Sequence, residues 1–167
     1  KLYEVVQASD ERLMGEIIEL HGDEAAIQVY EETAGIKPGD PVYRTGRTMS
    51  AALAPGLLES IYDGIQRPLV QIEAAAGNCF IKRGIEATPV DMQRKWDFTA
   101  TAKAGDTVVA GDVLGTVPET TLITHKVMVP PGLSGTITAI ESGKKTVTET
   151  IAVVETADGT TEIAMLQ

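Results

Sequence analysis

Ala104-Gly105-Asp106-Thr107-Val108 is answered six residues on by Ala110-Gly111-Asp112-Val113-Leu114, and this repeated A-G-D-x-[VL] phrase decides the architecture of the second half of the chain. Each copy reads as a turn that hands over to an apolar strand. Glycine supplies the backbone freedom of a tight turn, and aspartate bonds nearby backbone. Working outward, residues 113–117, 125–129, 135–140, 146–154 and 160–165 have the composition of further strands, and Asp158-Gly159 marks the last hairpin. Upstream, residues 3–8, 13–20, 24–30 and 42–43 read as short strands broken at Ser9-Asp10-Glu11, His21-Gly22-Asp23 and Lys37-Pro38-Gly39-Asp40. Strands this closely spaced predict a small antiparallel barrel. In Ile17-Ile18-Glu19-Leu20 and Ala25-Ala26-Ile27-Gln28-Val29 the alternation is imperfect, as expected of a curved strand partly buried on both faces.

Between these β regions, Pro55-Gly56 opens a helical turn over 57–62, with Leu57, Leu58 and Ile61 as a narrow apolar face. Gly64 ends that turn, and Arg67-Pro68 forces an extended exit because the proline ring disfavours the α region for the residue before it. A second short helix is expected over 70–76, closed by Gly77-Asn78.

The stretch Gly56-Leu57-Leu58-Glu59-Ser60-Ile61-Tyr62-Asp63-Gly64-Ile65-Gln66-Arg67-Pro68-Leu69 resembles the catalytic A subunit of archaeal (A-type) and vacuolar-type rotary ATPases. So do the runs from Ile27-Gln28-Val29-Tyr30-Glu31-Glu32-Thr33 to Ile36-Lys37-Pro38-Gly39-Asp40-Pro41-Val42 and His125-Lys126-Val127-Met128-Val129-Pro130-Pro131-Gly132, so the resemblance spans essentially the whole chain. It implies a mainly β fold: a partial antiparallel N-terminal β-barrel with its linker over 1–69, missing its first strands, then short connecting helices and a bulge domain over 70–167. It further implies three A subunits alternating with three B subunits, contact with peripheral-stalk subunits, and ATP synthesis or hydrolysis coupled to H+ or Na+ movement. The complex would lie peripherally on the cytoplasmic side of the membrane.

The parent polypeptide would bind ATP or ADP with Mg, but nothing in this chain reads G-x-x-x-x-G-K-[ST], the loop whose backbone N–H groups cradle phosphates. Ser142-Gly143-Lys144-Lys145 echoes its end, yet Thr138 stands where the first glycine belongs and the piece lies between strands rather than opening a helix. No cofactor is therefore expected in this chain. It opens on Lys1 and closes on an apolar-patterned strand, so it reads as the N-terminal piece of a longer polypeptide, inactive on its own.

A second resemblance bears on the fold alone. Gly105-Asp106-x-Val108, Gly111-Asp112-Val113-Leu114-Gly115 and Pro130 to Ile137 are similar to the flattened barrel of lipoyl and biotinyl carrier domains. The alternative function that follows is a stand-alone carrier or adaptor module. Such a domain presents its modified lysine at a hairpin tip between two half-repeats, whereas the connection here is Pro118-Glu119-Thr120-Thr121 and Lys126 lies inside a strand pattern.

At 167 residues and 43% hydrophobic, the chain can fill one ordinary core or two small ones. The net charge of −10 is shared in sign by both halves, and no clustered Lys and Arg surface answers a phosphate backbone, so nucleic acid is not an expected partner. Cys79 is the single cysteine, which leaves neither an internal disulfide nor a cysteine pair for zinc. Apolar runs are only a few residues long and the start lacks a signal pattern, so a soluble, non-exported chain without direct membrane insertion is expected.

Candidate chemistry is sparse. His21 and His125 stand far apart, in a turn and at a strand start, without the spacing of metal ligands. Cys79 reads as a small core residue. The carboxylate pairs Asp10-Glu11, Asp23-Glu24 and Glu31-Glu32 place adjacent side chains on opposite faces of an extended backbone, so they read as solvated turns and edges. No nucleophile has a recognisable base beside it. Lys82-Arg83 and Arg94-Lys95-Trp96 are the candidate partner contact, with Trp96 either an anchor for an acidic partner or an aromatic packed beneath Arg and Lys stems.

Overall fold

A computed structural model describes residues 1–77, Gly84 and 87–167. Four strands come first: β1 (Glu4–Ala8), β2 (Leu13–His21), β3 (Glu24–Val29) and β4 (Val42–Thr48). Helix α1 (Leu69–Ala76) follows. The remainder is β5 (Lys95–Ala100), β6 (Thr107–Val109), β7 (Val113–Pro118), β8 (Thr124–Met128), β9 (Ser134–Ile140), β10 (Gly143–Thr146), β11 (Thr150–Thr156) and β12 (Gly159–Ala164). The fold is mainly β, with antiparallel pairing throughout the described ladders. Internal contacts divide the chain into two units, Lys1–Ala51 with Leu69–Ala87 and Ala52–Pro68 with Thr88–Gln167. The expected division at 69/70 follows chain order; by contact, the 52–68 linker belongs to the second unit and α1 to the first.

The first unit is a four-stranded sheet in the order β3-β2-β1-β4. Val6 lies opposite Gly15 and Ala8 opposite Leu13, so period-two alternation brings Val6, Ala8, Leu13 and Ile17 to one buried face. The irregularity beyond Ile17 has a local cause. The β2–β3 ladder slips between Ile17 and Glu19, where one extra residue bends the strand and interrupts its pairing. From there the strand leaves the buried face, and Ile18 and Leu20 are exposed, rather than buried on a second face. Ile72 of α1 is buried, and Gly77, with a φ of 69°, donates its N–H to Glu73 O at 2.9 Å to close the last turn.

Glu4 is also buried in this unit. Arg44 grips it with two bonds, Nε to Oε1 at 3.0 Å and Nη2 to Oε2 at 2.9 Å; Gly46 N donates at 3.1 Å and the Lys1 α-amino group at 2.7 Å. Chiefly through the Arg44 guanidinium, the carboxyl is held down to about 2.

The second unit packs two four-stranded sheets, β10-β5-β7-β8 and β12-β11-β9-β6. Trp96, Phe98, Leu114, Val117 and Val127 from the first meet Val108, Ile137, Ile151, Val154 and Ile163 from the second in one core. The repeated A-G-D phrase sets where strands begin. Asp106 N donates to Lys103 O at 3.1 Å while Asp106 Oδ2 accepts Lys103 N at 2.8 Å, and Asp112 does the same to Val109 at 3.0 and 2.8 Å. Gly105 and Gly111 occupy the third turn position with φ of 94° and 91°, which a Cβ disfavours. Each turn is then sewn to another strand: Gly105 N to Ile137 O and Ile137 N to Asp106 O in the middle of β9, Gly111 N to Val129 O and Val129 N to Asp112 O just past β8. Two residues past each aspartate, Val108 and Leu114 are buried.

Two sequence expectations need correction. Residues 57–62 form turns, not a helix, with Ser60 N donating to Leu57 O at 3.2 Å. Of the expected apolar face only Leu57 packs against the core; Leu58 and Ile61 are 58% and 66% exposed, so a helix here would gain little tertiary support. The single strand expected over 146–154 is two, β10 and β11, because Glu149 turns the chain: its carboxylate accepts Thr146 N and its own N–H donates to Thr146 O. The phosphate-loop echo at 143–145 thus lies within a strand, β10, paired with β5.

The bonds around Glu4 predict an acid response. Because its folded pKa lies below the ordinary 4.5, the stability it contributes is fully present above that value and is lost as pH falls toward about 2. Acid unfolding of the first unit, followed by circular dichroism, should therefore lose this component in Glu4→Gln; coincident wild-type and variant pH profiles would contradict it. In the second unit, Gly111→Ala should lower stability by about 1–2 kcal/mol, since a Cβ at this φ is strained. Urea titration measures that loss, and an unchanged midpoint would show the turn to be tolerant.

Candidate functional site

The linker 52–68 is held by polar bonds rather than by burial of its middle. At its start Leu53 N donates to Gln167 O at 2.7 Å and Gln167 N to Leu53 O at 2.9 Å. Gln66 reaches back as a backbone mimic, accepting Ala52 N at 2.7 Å and donating to Ala52 O at 2.8 Å. To do so Gln66 takes a φ of 61°, uncommon for a residue with a side chain. Tyr62 completes the clasp by donating its hydroxyl to Pro89 O at 2.7 Å.

Asp63 organises the exit. Its Oδ1 accepts Ile65 N at 3.1 Å and Arg67 N at 2.8 Å, and Oδ2 accepts Arg67 Nε at 2.7 Å. Burial alone would push this carboxyl up, but the N–H groups and the Arg67 guanidinium outweigh it and hold it below its ordinary range. The i, i+4 spacing of Asp63 and Arg67 resembles a helical pair, yet here it closes a loop around Gly64.

Glu119 lies just past β7, and its side chain is 3% exposed. Oε1 accepts Gly56 N at 2.7 Å and Leu58 N at 3.3 Å, while Oε2 lies 3.5 Å from His125 Nδ1. These are the N–H groups a helix start over 57–62 would have left open, so a carboxylate from another segment takes the place of helical structure. Neither Glu119 nor Asp63 stands out in the sequence. The signal for Asp63 is its place before Gly64; for Glu119 the sole signal is that it is the one charged residue of its hairpin connection, Glu119 to Ile123.

The sequence-selected residues fall in different settings. Trp96 is 5% exposed, inside the core of its unit, with the Arg94 guanidinium 3.9 Å above its ring centroid. Gly56 approaches the same ring so closely that a Cβ there would stand 3.0 Å from Trp96 Cζ2. Arg94 and Lys95 are exposed. Lys82, Arg83 and Cys79 lie outside the described residues. His21 is exposed, its Nε2 2.9 Å from Glu19 Oε1; it belongs to the first unit and His125 to the second. Among the described residues no three His, Cys, Asp or Glu side chains could hold a metal ion together, and no helix is long and apolar enough to cross a membrane. Lys126 sits within β8 opposite Thr116, away from the hairpin tip. The lone pairs of Asp63 and Glu119 are spent on the chain's own N–H groups, so chemically the arrangement is a set of clamps.

Comparison with known proteins follows the same division. The model of the ATP synthase alpha/beta family, beta-barrel domain, matches residues 1–46, and that of the barrel-sandwich domain of the ATPsynthase alpha/beta subunit matches residues 87–167. Over 167 residues the chain is 56% identical to the A subunit of the A-type ATP synthase of Methanococcus maripaludis (strain C7), covering 100% of this chain and 28% of that protein. Over 166 residues it is 54% identical to the V-type ATP synthase alpha chain of Clostridium botulinum (strain Langeland), covering 99% and 28%. The chain thus spans little more than a quarter of the length of these relatives.

Asp63→Asn should lower the stability of the second unit by about 1.5–3 kcal/mol, because the bonds from Ile65 N, Arg67 N and Arg67 Nε lose their charged acceptor. Urea unfolding of Asp63→Asn, Arg67→Met and the double variant measures the coupling. Additive effects would show that the pair is not the clamp described.

Proposed function

We propose that this chain, which belongs to the ATP synthase alpha/beta family, is the opening portion of the catalytic A subunit of an A- or V-type rotary ATP synthase and serves there as scaffold. The observation that carries the reading is identity above one half running unbroken through barrel, linker and barrel-sandwich in the M. maripaludis protein. The carrier alternative lacks such support: no lysine stands in the β7–β8 connection.

On this reading residues 1–69 contribute the barrel and linker that pack laterally with the B subunits in an alternating hexamer, and residues 70–167 form the bulge that faces peripheral-stalk subunits. ATP or ADP with Mg is held by the remainder of the parent polypeptide, and the complex couples ATP synthesis or hydrolysis to H+ or Na+ movement at the cytoplasmic face of the membrane. Clamps satisfied within the chain suit a part that must keep its shape while its neighbours open and close. Exposed Arg94 and Lys95, stiffened by Trp96 beneath Arg94, are the described cations offered to an acidic stalk surface; Lys82 and Arg83 carry the same assignment from sequence alone.

Native mass spectrometry of the complex purified through the full-length catalytic polypeptide should show A and B subunits in equal number, with stalk subunits attached. Arg94→Glu combined with Lys95→Glu should reduce stalk attachment and leave the A–B ring intact. Recovery of the catalytic polypeptide without its B partners, or saturable Mg-ATP binding by the 167-residue chain alone, would overturn the reading.

A further inference from the structure

The β7–β8 connection, Glu119 to Ile123, is one tight turn. Glu119 N and Thr120 N both donate to Ile123 O, at 3.0 and 3.1 Å. Thr120 Oγ1 accepts Leu122 N at 3.2 Å and Ile123 N at 3.0 Å. The tip stands clear of the unit, with Leu122 93% exposed. The same residue that closes this turn with its backbone sends its carboxylate inward to Gly56 N and Leu58 N. Residues 58–61 are themselves exposed, and the next side-chain anchor along the chain is the Tyr62 hydroxyl on Pro89 O. Between the Gln66–Ala52 clasp and Tyr62, Ala54 and Leu57 pack on the core, and the Glu119 carboxylate supplies the side-chain hydrogen bonds that hold the linker's N–H groups.

We infer that Glu119 is a latch coupling the β7–β8 hairpin tip to the linker: displacing the tip withdraws the carboxylate and frees the Gly56 and Leu58 N–H groups together. The inference goes beyond the proposed function and does not depend on it. Coupling needs a contiguous physical path with two discrete arrangements. Here the path is a single residue, backbone in the turn and side chain on the linker. Two arrangements arise because a buried carboxylate that lets go of its donors cannot stay where it is; it must be carried to water or to other donors. His125 Nδ1, at 3.5 Å from Oε2, is the group beside it. Glu119 is thus a positioning residue whose effect is read on a different segment.

Amide hydrogen exchange on the full 167-residue chain tests the latch. Glu119→Ala should speed exchange at Gly56 and Leu58 by about tenfold or more, as loss of a charge-assisted bond implies. Lys103 and Val109, whose N–H groups are held by Asp106 and Asp112, should be unchanged. Glu119→Gln keeps one acceptor oxygen and should restore much of the Gly56 protection. The decisive variant is Thr120→Ala, which loosens the tip without touching the linker: exchange at Gly56 and Leu58 should rise along with that at Leu122 and Ile123. If Thr120→Ala speeds only the tip amides, or if Glu119→Ala leaves Gly56 and Leu58 protected, there is no latch. A uniform rise across the second unit in Glu119→Ala, with Thr120→Ala confined to the tip, would mean that Glu119 is merely structural.

Discussion

A carboxylate taken out of water has to be met by donors at its own location, and three of them shape this protein. Glu4 draws Arg44, 40 positions later, across the β1–β4 ladder. Glu119 draws Gly56, 63 positions earlier, onto the β7–β8 hairpin. Asp63 gathers Ile65 and Arg67 around Gly64. In each case the desolvation of a charge is offset only if a particular backbone arrangement is kept, since a buried charge without partners is far costlier than an exposed one. Apolar packing could not do this for the linker, whose residues 58–61 stay at the surface.

Around those fixed points the rest is ordinary β construction. The core of the second unit gathers inward residues from both sheets, but a core is non-directional and does not say where a strand starts. The glycine–aspartate turns do. Lys37-Pro38-Gly39-Asp40 in the first unit repeats their form, with Asp40 N on Lys37 O at 3.1 Å and Lys37 N on Asp40 Oδ2 at 3.0 Å. The same four-residue device therefore serves in both units, ahead of β4, β6 and β7, one strand of each sheet.

Most strands were legible because period-two alternation and turn chemistry are local properties. β1, β2, β3, β7, β8, β9 and β12 lie within a residue or two of where the pattern puts them. β4 runs five residues beyond its expected end, through Arg44 and Arg47, because pairing with β1 outweighs a polar composition. The helix expected over 57–62 failed for the opposite reason: its Leu, Leu and Ile spacing is helical, but the core receives only Leu57, and Leu58 and Ile61 face water. Trp96 shows the same limit, since its sequence setting beside two cations suits an exposed anchor and a buried ring alike, and the structure places the ring inside.

By itself the amino-acid order determined the class of fold, the position of the glycine–aspartate turns and the kinship of the chain, all of which depend on neighbours a few residues apart or on motifs read directly. Which carboxylates would be buried, and which distant N–H groups would meet them, was decided only in three dimensions. An acid at Glu4 or Glu119 is written no differently from one at Asp10 or Glu155, and what separates them is whether folding removes the water around it.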